Sequence, residues 1–452
     1  MNMTLQDIAQ AMGTCCDTGG DLRVQHVQID SRKVQPGDLF FCIVGQRLDG
    51  HHFVQQAIAA GAGAVVASTP LDVSVPVLMV RDTTLALGQL ARAWRERTRA
   101  VVIGVTGSAG KTTVKEMLAL GLAEAGPTSK NFRNLNNQIG LPLSLLSMPL
   151  EDAFWVLELG ISVQGDMDQL GYILSPDAVV ITNIGPCHLE GLGSLAGVAR
   201  EKCVLLQHVR PQGLACINGD YPLLVAECAL HAGRQVLFSA SAPQAAYRCS
   251  ATAARADRAL FDVHTPRGMQ HFDVPAAIHV SENMAAVAAL CMELGVEPSV
   301  IEKGLQAYAP VPQRFVCSQV GSWTFIDDTY NANPVSMARS LAEATRLAHG
   351  RPLVLVLGDM LELGAQASAA HQELGRAIAS TTCSHCFFYG RHAEDVASGL
   401  HGFAGVFAPL HNAEDILREL ANLRSAHGVM LFKGSRGCNM EHFYSFLERN
   451  WA

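Results

Sequence analysis

The chain has 452 residues, which is too many for one ordinary hydrophobic core and predicts two to four domains. Hydrophobic residues make up 49% of the chain and charged residues only 16%, so the composition excludes an intrinsically disordered protein. The formal net charge of −8 and the pI of about 6.1 argue against a nucleic-acid-binding protein, which usually carries a basic surplus.

The sequence also predicts a cytoplasmic protein without membrane insertion. The N-terminal stretch MNMTLQDIAQAMG lacks the pattern of a signal peptide, and no apolar run reaches the roughly 18–20 residues that span a bilayer. The 13 cysteines are scattered through apolar contexts, which is typical of buried thiols in a reducing compartment. One CxxC pair, Cys383 and Cys386, has no second pair to complete a zinc site. Thiols at a strand entrance are the simpler interpretation, and metal or redox use is the alternative.

Residues 1–98 are predicted to form a first α/β domain. Strands are predicted for the apolar runs LFFCIVG, AVVAS and VPVLMV, and helices for HHFVQQAIAAGA and LALGQLARAWRER. Short apolar runs that alternate with amphipathic stretches indicate a parallel sheet covered by helices. The polar, basic stretch RERTRA then places a boundary near residue 98.

Residues 99–313 are predicted to form a second domain, with strands at VVIGVT, FWVLELG and DAVVITNIG. A helix follows the first strand, because Val114, Met117, Leu118 and Leu122 recur at helical spacing. Shorter runs between residues 235 and 280 (QVLFSAS, ALFDVHT, QHFDVPA) predict a small mixed or antiparallel insertion. After a helix at ENMAAVAALCMELG, the prolines of YAPVPQRF end the domain.

Residues 314–452 repeat the α/β theme in a third domain. Strands are predicted at WTFID, PLVLVLGD, HCFFYG and GVMLFKG, with helices between them. An unusual polar loop, DDTYNANP, follows the first of these strands.

The stretch TGSAGKTT indicates a phosphate-binding loop, although Val105 stands where the usual spacing has a glycine. Gly107 and Gly110 allow backbone N–H groups to converge on an anion, and a helix predicted to start at Thr112 presents its positive end. Lys111 supplies a charge for the β and γ phosphates, and Thr112 a hydroxyl for Mg²⁺. An ordinary turn between a strand and a helix is the alternative, but it does not explain why the sequence GKTT stands at this point.

Two more residues follow strands of the same predicted sheet. Glu158 ends FWVLELG, so its carboxylate would face the crevice where nucleotides bind, near Mg²⁺. His188 in TNIGPCHLEG could reach the same crevice, although a lone histidine is more often structural and nitrogen is an unusual ligand for a hard cation. The sequence lacks the NKxD motif of GTPases and the adjacent acidic pair of motor ATPases, which disfavours a switch or a motor.

Several motifs together resemble the Mur ligase family, and the resemblance spans nearly the whole chain. They are TGSAGKTT, NLNNQIGLPLSLL, LELG, TNIGPCHLEGLGSLAGVAREK, PVPQRF, DDTYNANP, GDMLELG, FKGSRGCNME and the N-terminal stretch IDSRKVQPGDLFFCIVGQRLDGHHFVQQAIAAGA. TGxxGKT is this family's usual form of the phosphate loop. DDTYNANP with GDMLELG is most similar to members that add D-alanyl-D-alanine to UDP-N-acetylmuramoyl-tripeptide, and the DNPR signature of the diaminopimelate-adding members is not present.

The resemblance implies an α/β fold of three domains: an N-terminal uridine-nucleotide domain, a central P-loop ATPase domain with a mainly parallel sheet, and a C-terminal Rossmann-like domain. It implies a monomeric, ATP-dependent amide ligase in peptidoglycan precursor synthesis. ATP would convert a carboxylate to an acyl phosphate with the help of two Mg²⁺ ions. The amine of the acceptor would then attack this acyl phosphate. Another amide ligase of the superfamily with a different amine acceptor, or a non-catalytic nucleotide-binding relative, is the alternative.

The resemblance also assigns roles to single residues. The catalytic residues would be Lys111, Glu158, His188, Lys202 and Arg314. Nucleotide would be bound by Gly107, Ser108, Ala109, Gly110, Lys111, Thr112, Thr113, His279, Asn283, Arg314 and Asp328. Metal ligands would be Thr112, Glu158, His188 and Lys202, the last as a carbamate. Substrate would be bound by Ser31, Arg32, Asn136, Asn137, Asn331 and Asn333, of which Ser31 and Arg32 would hold the uridine nucleotide.

Some of these positions keep a second interpretation. Arg314 could be a surface arginine beside a linker, and Asn283 could make only local hydrogen bonds at a helix start. Lys433 and Arg436 could reach phosphate or cap the end of a strand.

Overall fold

The computed structural model describes residues 1–255 and 258–451, whose strands form one two-stranded pair and three larger sheets. The pair joins Met3–Thr4 (β1) to Arg23–Val24 (β2) in antiparallel fashion. The larger sheets have four, nine and six strands, and each lies within one of the three predicted ranges. The α/β class is therefore confirmed, while the boundaries near residues 98 and 313 stay predictions. No described helix is long and apolar enough to cross a membrane.

The first large sheet is parallel, in the order β3-β4-β5-β6. Its strands are Val27–Gln28 (β3), Leu39–Phe41 (β4), Ala64–Ala67 (β5) and Val77–Met79 (β6), accompanied by helices Leu5–Ala11 (α1), Val54–Ala59 (α2) and Thr83–Arg95 (α3). β4, β5 and β6 confirm the three strands predicted from apolar runs.

Helix α3 fixes this first domain to the second one. The Trp94 indole N–H donates to the Met148 carbonyl at 3.2 Å. Arg95 is fully buried and donates to the Leu174 and Ser175 carbonyls and to the Asp177 carboxylate. The stretch RERTRA is therefore not exposed to solvent throughout. Its first arginine, Arg95, is buried in the interface between the domains and donates hydrogen bonds to backbone carbonyls there.

The second domain is built on the nine-stranded sheet. Its strands are Val101–Thr106 (β7), Thr128–Lys130 (β8), Phe154–Glu158 (β9), Ala178–Ile181 (β10), Leu214–Asn218 (β11), Arg234–Ser239 (β12), Tyr247–Arg255 (β13), Arg258–Thr265 (β14) and Gly268–Val274 (β15). Its helices are Lys111–Ala123 (α4), Gly140–Ser147 (α5), Asp166–Leu174 (α6), Leu189–Leu192 (α7), Leu195–Cys203 (α8), Pro222–Cys228 (α9), Ser281–Glu293 (α10) and Pro298–Leu305 (α11).

The strand order of this sheet is β15-β14-β13-β12-β11-β10-β7-β9-β8. Every pairing from β8 to β13 is parallel, and only β13-β14 and β14-β15 are antiparallel. The strands in the predicted mixed insertion at residues 235–280 pair in both senses, and they extend the central sheet. The reason is a shared core, in which Phe238, Phe261 and Phe272 are buried in the same cluster as helix α10. Val105 lies in β7, as predicted for an ordinary strand residue.

The third domain has the strand order β16-β17-β21-β18-β19-β20, antiparallel only between β16 and β17. The strands are Val316–Val320 (β16), Trp323–Asp328 (β17), Leu353–Gly358 (β18), His385–Tyr389 (β19), Val406–Pro409 (β20) and Val429–Lys433 (β21). The helices are Pro334–Ala348 (α12), Ala367–Ala379 (α13), Ala393–Gly399 (α14), Ala413–Glu419 (α15) and Glu441–Asn450 (α16). Cys383 and Cys386 are buried at the start of β19, as expected for thiols at a strand entrance.

Candidate active site

A crevice of about 410 Å³ lies between the second and third domains, at the carboxyl ends of β7, β9 and β17. Most of the residues predicted for the site line it. They are Ser108, Ala109, Gly110, Lys111, Thr112, Thr113, Asn136, Asn137, Glu158, His188, His279, Asn283, Arg314, Asp328, Asn331 and Asn333. Four predicted residues do not line it: Ser31, Arg32, Gly107 and Lys202.

The phosphate loop is held by its two glycines and by an asparagine that the sequence reasoning missed. Gly107 has φ of +152° and Gly110 has φ of +78°, and α4 begins at Lys111, one residue before the predicted start. Asn183, which is fully buried, accepts a hydrogen bond from the Ala109 N–H at 2.8 Å and donates to the Ala109 carbonyl at 3.0 Å. The first N–H groups of α4 have no acceptor within the helix, so they are available to an anion.

Lys111, the first residue of α4, places a positive charge beside those N–H groups. Its Nζ donates to the Gly107 carbonyl at 2.7 Å, which folds the side chain back over the loop. Burial lowers the pKa of this lysine, and the nearby Glu158 carboxylate opposes that effect. Phosphate oxygens arriving at the loop would find this ammonium beside the helix N-terminus.

A chain of three side chains crosses the floor of the crevice. The Thr112 hydroxyl donates to Glu158 Oε2 at 2.7 Å, and the Asn136 amide donates to Glu158 Oε1 at 2.8 Å. Asn131 accepts from the Glu158 N–H at 3.0 Å and so fixes the end of β9. These contacts place a hydroxyl and a buried carboxylate side by side, which is an oxygen-donor set suited to a hard cation.

His188 contacts the third domain. It adopts a left-handed conformation with φ of +53°, and its Nδ1 is paired with the carboxylate of Glu362. The hydrogen bond from His188 lowers the pKa of Glu362. The Leu189 N–H also donates to the Glu362 carbonyl at 2.8 Å, so the two loops are joined by backbone as well. Only Nε2 of His188 is left for another partner.

Lys202 lies on α8, behind the wall of the crevice. Its side chain is 1% exposed, and within the described part of the chain its Nζ makes no hydrogen bond. Burial lowers the pKa of Lys202 to about 8, with a further contribution from the charge of Lys111. About a tenth of this amine is therefore uncharged at pH 7, far more than for an ordinary lysine.

Arg314 comes from the segment that joins the second and third domains and is not a solvated surface arginine. Its Nη2 donates to the Thr112 hydroxyl at 3.3 Å. Its guanidinium carbon lies 3.8 Å from the centre of the Tyr330 ring. The arginine is thus held over the phosphate loop.

At one end of the crevice, His279 faces Glu343 of the third domain, and Asn283 lies beside the phosphate loop. The His279 ring packs 4.6 Å from the Phe315 ring, and its Nδ1 lies 3.7 Å from Glu343 Oε1. Asn283 lies close to Gly110, where an added Cβ would be 2.8 Å from its Oδ1. Its position on the crevice wall goes beyond a purely local role at the helix start.

The third domain supplies a second polar wall. Asp328 accepts from Lys433 Nζ at 2.6 Å and from the Ser340 hydroxyl at 2.5 Å. Lys433 and Arg436 both line the crevice, Lys433 paired with Asp328 and Arg436 with Glu441, so their phosphate-binding and strand-end interpretations both stay open.

Asparagine side chains shape the loops on both walls. Asn333 caps α12 by accepting from the Ser336 N–H, and it donates to the Ser108 carbonyl at 3.2 Å across the crevice. Asn331 accepts from the Arg436 N–H at 3.2 Å, and Asn137 accepts from the Gly140 N–H at 2.9 Å. Each of these three side chains, which are predicted to contact substrate, is thus already hydrogen-bonded to the backbone.

Ser31 and Arg32 lie in the first domain, on a short turn apart from the crevice. Ser31 is buried and donates to Gln56 Oε1 at 3.0 Å. Arg32 is 78% exposed and makes a two-pronged contact with Asp30. Their predicted uridine role stays a prediction. Three further residues of the site are not predicted from the sequence: Asn183, Tyr330 and Glu362. They lie within the motifs TNIGPCHLEG, DDTYNANP and GDMLELG, respectively.

The site combines a glycine loop at a helix N-terminus with two cations and a pair of oxygen donors, and a second α/β domain encloses it. This arrangement defines a nucleotide-binding protein of three α/β domains. Three family profiles match the chain: "Mur ligase family, catalytic domain" at residues 23–95, "Mur ligase middle domain" at 105–291 and "Mur ligase, glutamate ligase domain" at 313–436. The chain belongs to the Mur ligase family.

Individual relatives match over almost their full lengths. The UDP-N-acetylmuramoyl-tripeptide–D-alanyl-D-alanine ligase of Escherichia coli is 35% identical over 438 residues, covering 96% of this chain and 95% of that one. A crystal structure of MurF from Acinetobacter baumannii superposes with a TM-score of 0.91 at 32% identity, covering 99% of both chains. The MurF ligase of Thermotoga maritima in complex with ADP gives a TM-score of 0.86 at 26% identity, with coverages of 95% and 98%.

Proposed function

We propose that this chain joins D-alanyl-D-alanine to the carboxylate of a UDP-N-acetylmuramoyl-tripeptide. ATP is consumed, and UDP-N-acetylmuramoyl-pentapeptide, ADP and phosphate are released, as a step of peptidoglycan precursor synthesis. The observation that carries the proposal is the full-length likeness to the E. coli ligase of that specificity. The crevice agrees with it, because it gathers phosphate-binding and carboxylate-binding groups from two domains.

The residues of the crevice divide the work of the first step. The N–H groups at the start of α4, with Lys111, hold the phosphates. Lys111 and Arg314 oppose the charge that spreads over the transferred phosphoryl group, which is the main task of a catalyst for phosphoryl transfer. The product of this step is an acyl phosphate with a good leaving group, which the amine of the acceptor attacks.

The donor set at Thr112 and Glu158 fits Mg²⁺. Both side chains offer oxygen, the carboxylate is buried, and Asn136 holds its other oxygen in place. When bound, Mg²⁺ would neutralise phosphate charge. His188 has one ring nitrogen engaged by Glu362, so Nε2 is the atom that would face a metal or a phosphate.

Lys202 is proposed to carry a carbamate. Lys202 is a buried amine that has no hydrogen-bond partner among the described residues, and with a pKa of about 8 it is a nucleophile for CO₂ near neutral pH. The product is an anion with oxygen donors, which suits a second Mg²⁺ far better than an ammonium does. Loss of 44 Da on acidification of native protein, and its absence in Lys202→Ala, would support the modification. An unmodified lysine in fully active enzyme would contradict it.

The substrates are placed on separate domains. The uridine nucleotide is assigned to the first domain at Ser31 and Arg32, the tripeptide carboxylate to Asn136 and Asn137, and the acceptor to the third domain near Asn331 and Asn333. The protein is proposed to act as a cytoplasmic monomer, which accords with 13 free thiols and with a reaction that uses ATP.

The decisive experiment is ATP-dependent phosphate release with UDP-N-acetylmuramoyl-tripeptide and one acceptor at a time. D-alanyl-D-alanine, D-alanine, diaminopimelate and glutamate are compared, with the third residue of the tripeptide as diaminopimelate or lysine. Release that requires D-alanyl-D-alanine, with a pentapeptide product by mass, is expected. Turnover with another acceptor would retain the ligase chemistry and replace the substrate. ATP binding without any turnover would favour a non-catalytic relative.

A further inference from the structure

The segment that carries Arg314 has an unusual backbone. Gln313 has φ of +63° and Phe315 has φ of +56°, so Arg314 stands between two non-glycine residues in the left-handed region. Such conformations persist only where the surroundings enforce them, and they gather at functional positions. Neighbouring contacts must therefore stabilise this backbone and orient the Arg314 side chain.

Tyr330, in the DDTYNANP loop after β17, makes two contacts with this segment. Its N–H donates to the Gln313 carbonyl at 3.2 Å, and its ring lies under the guanidinium of Arg314, 3.8 Å from the guanidinium carbon. The first contact involves only backbone and survives any substitution of the tyrosine except proline. The second depends on an aromatic ring.

The kind of partner matters for the arginine. A carboxylate partner would occupy its N–H groups and cancel its charge, whereas the face of a ring attracts the cation and leaves the N–H groups at its edge free to donate. One of these, on Nη2, already reaches the Thr112 hydroxyl at 3.3 Å. The ring thus fixes the long side chain over the phosphate loop without consuming its charge.

We propose that Tyr330 is a positioning residue for Arg314, holding the guanidinium in place over the transferred phosphoryl group through the face of its ring. The proposal rests on the proposed function, because it takes Arg314 to act on the γ-phosphate. It assigns this role to the face of the ring, and Tyr330→Phe separates the ring from the contact of the Tyr330 hydroxyl with the same arginine.

Three variants test this: Tyr330→Leu, which removes the ring, Tyr330→Phe, which keeps it, and Arg314→Met. Tyr330→Leu is expected to lower kcat about 3- to 30-fold with little change in the KM for ATP, and Tyr330→Phe to restore most of that loss. In an Arg314→Met background, Tyr330→Leu should cause little further loss, because the group that it positions is absent. Thermal unfolding of each variant is measured alongside.

An equal loss from Tyr330→Leu in the presence and absence of Arg314 would overturn the proposal, as would an equal loss in Tyr330→Phe. A fall in Tm that accounts for the loss of activity, shared by both tyrosine variants, would also overturn it. If the unaltered protein shows no ligase activity with any acceptor, the proposed function fails instead. The coupling between Tyr330 and Arg314 is then measured on the affinity for ADP with aluminium fluoride, which mimics the transferred phosphoryl group, and additive effects again contradict the proposal.

Discussion

Gly107 is constrained by contact, beyond the requirement for an unusual φ. A Cβ added there would lie 1.9 Å from the Thr182 hydroxyl and 3.1 Å from the Asn183 N–H. Both neighbours belong to the loop after β10, and Asn183 braces the phosphate loop through Ala109. Any side chain at residue 107 must therefore displace the residue that shapes the anion site.

Replacement of Gly107 by alanine is expected to lower kcat/KM for ATP by at least about 100-fold, because the loop cannot close around phosphate. Steady-state kinetics and titration of a fluorescent ATP analogue measure the effect. Gly268→Ala is the matched control, since Gly268 also has positive φ, at +107°, but an added Cβ meets nothing within 4 Å. Equal losses in both variants would attribute the effect to backbone strain and not to the contact.

Glu343 gives a pH-dependent contribution to stability. Burial alone would raise its pKa, but the hydrogen bonds from Arg346 and the nearby His279 ring outweigh burial and lower the pKa to about 2, from an ordinary value of 4.5. Because the folded state holds the carboxylate in its charged form, the stabilisation is full above about pH 4.5 and is lost as the pH falls towards 2.

Glu343→Gln is accordingly expected to lower the free energy of unfolding by up to about 3 kcal/mol at pH 7, with the difference from the unaltered protein shrinking steadily below pH 4.5. Urea unfolding at a series of pH values measures it. Glu373→Gln is the control, because Glu373 makes the same i,i+3 arginine pair on the exposed surface of α13, where it is worth less than about 1 kcal/mol. A difference that does not depend on pH would contradict the assignment.

At the scale of elements, the sequence predicted most of the strands that are buried on both faces, but it missed β11, whose five residues are all buried. β7, β9, β10 and β18 are continuous apolar runs, as parallel strands covered by helices must be. β8 was missed because its residues, Thr-Ser-Lys, carry no apolar pattern at the edge of the sheet. The phosphate loop was predicted because its residues are contiguous, whereas the His188–Glu362 contact joins residues 174 positions apart and has no local signal.

A buried lysine on α4 anchors another loop of the site. Lys115 is fully buried, and its Nζ donates to the Asn131 carbonyl at 2.8 Å and to the Arg133 carbonyl at 3.0 Å. These carbonyls begin the loop that delivers Asn136 to Glu158. The helix that binds phosphate therefore also fixes the loop beside the proposed tripeptide carboxylate.

Lys115→Met keeps the volume of the side chain but leaves both carbonyls without their donor. We expect a loss of about 1–3 kcal/mol in stability and a rise in KM for the UDP-linked substrate that exceeds the rise in KM for ATP. Lys130→Met is the control, since Lys130 is partly exposed and pairs with Glu116 on the same helix. A proportional change in both KM values would indicate a general loss of folded protein and would contradict the anchoring role.

At the scale of the whole molecule, the crevice lies at the second of two interfaces between domains. The first and second domains share a hydrophobic core, in which Leu87, Leu90 and Trp94 of α3 are buried with Leu145 and Leu174. The same apolar cluster continues into the third domain at Met337, Leu341 and Leu363, while His188, Arg314 and Asn333 make polar contacts around the crevice. Because the crevice between the second and third domains must admit substrates, domain movement is expected at this second interface.

A charged contact across that second interface is made by Arg339 of α12. Its Nη2 donates to both oxygens of Glu282 at 2.7 Å and to the Tyr221 hydroxyl at 2.6 Å. Burial raises the pKa of Glu282, and the charge of Arg339 opposes that effect, so each group depends on the other remaining in place. The start of the same helix contacts the phosphate loop through Asn333, so we expect the Arg339–Glu282 pair to favour the closed position of α12 over that loop.

Arg339→Met is therefore expected to shift the domain equilibrium towards an open form by about 2 kcal/mol, or about 30-fold. The ligand-free variant should show a larger radius of gyration in small-angle scattering, and ATP with the UDP-linked substrate should reverse much of the change, because ligands that bind both walls favour closure. Arg418→Met, which removes an exposed ion pair on α15, serves as the control. An unchanged radius of gyration in Arg339→Met, with kcat/KM intact, would mean that the apolar contacts around α12 hold the domains together and that closure is not governed by this pair.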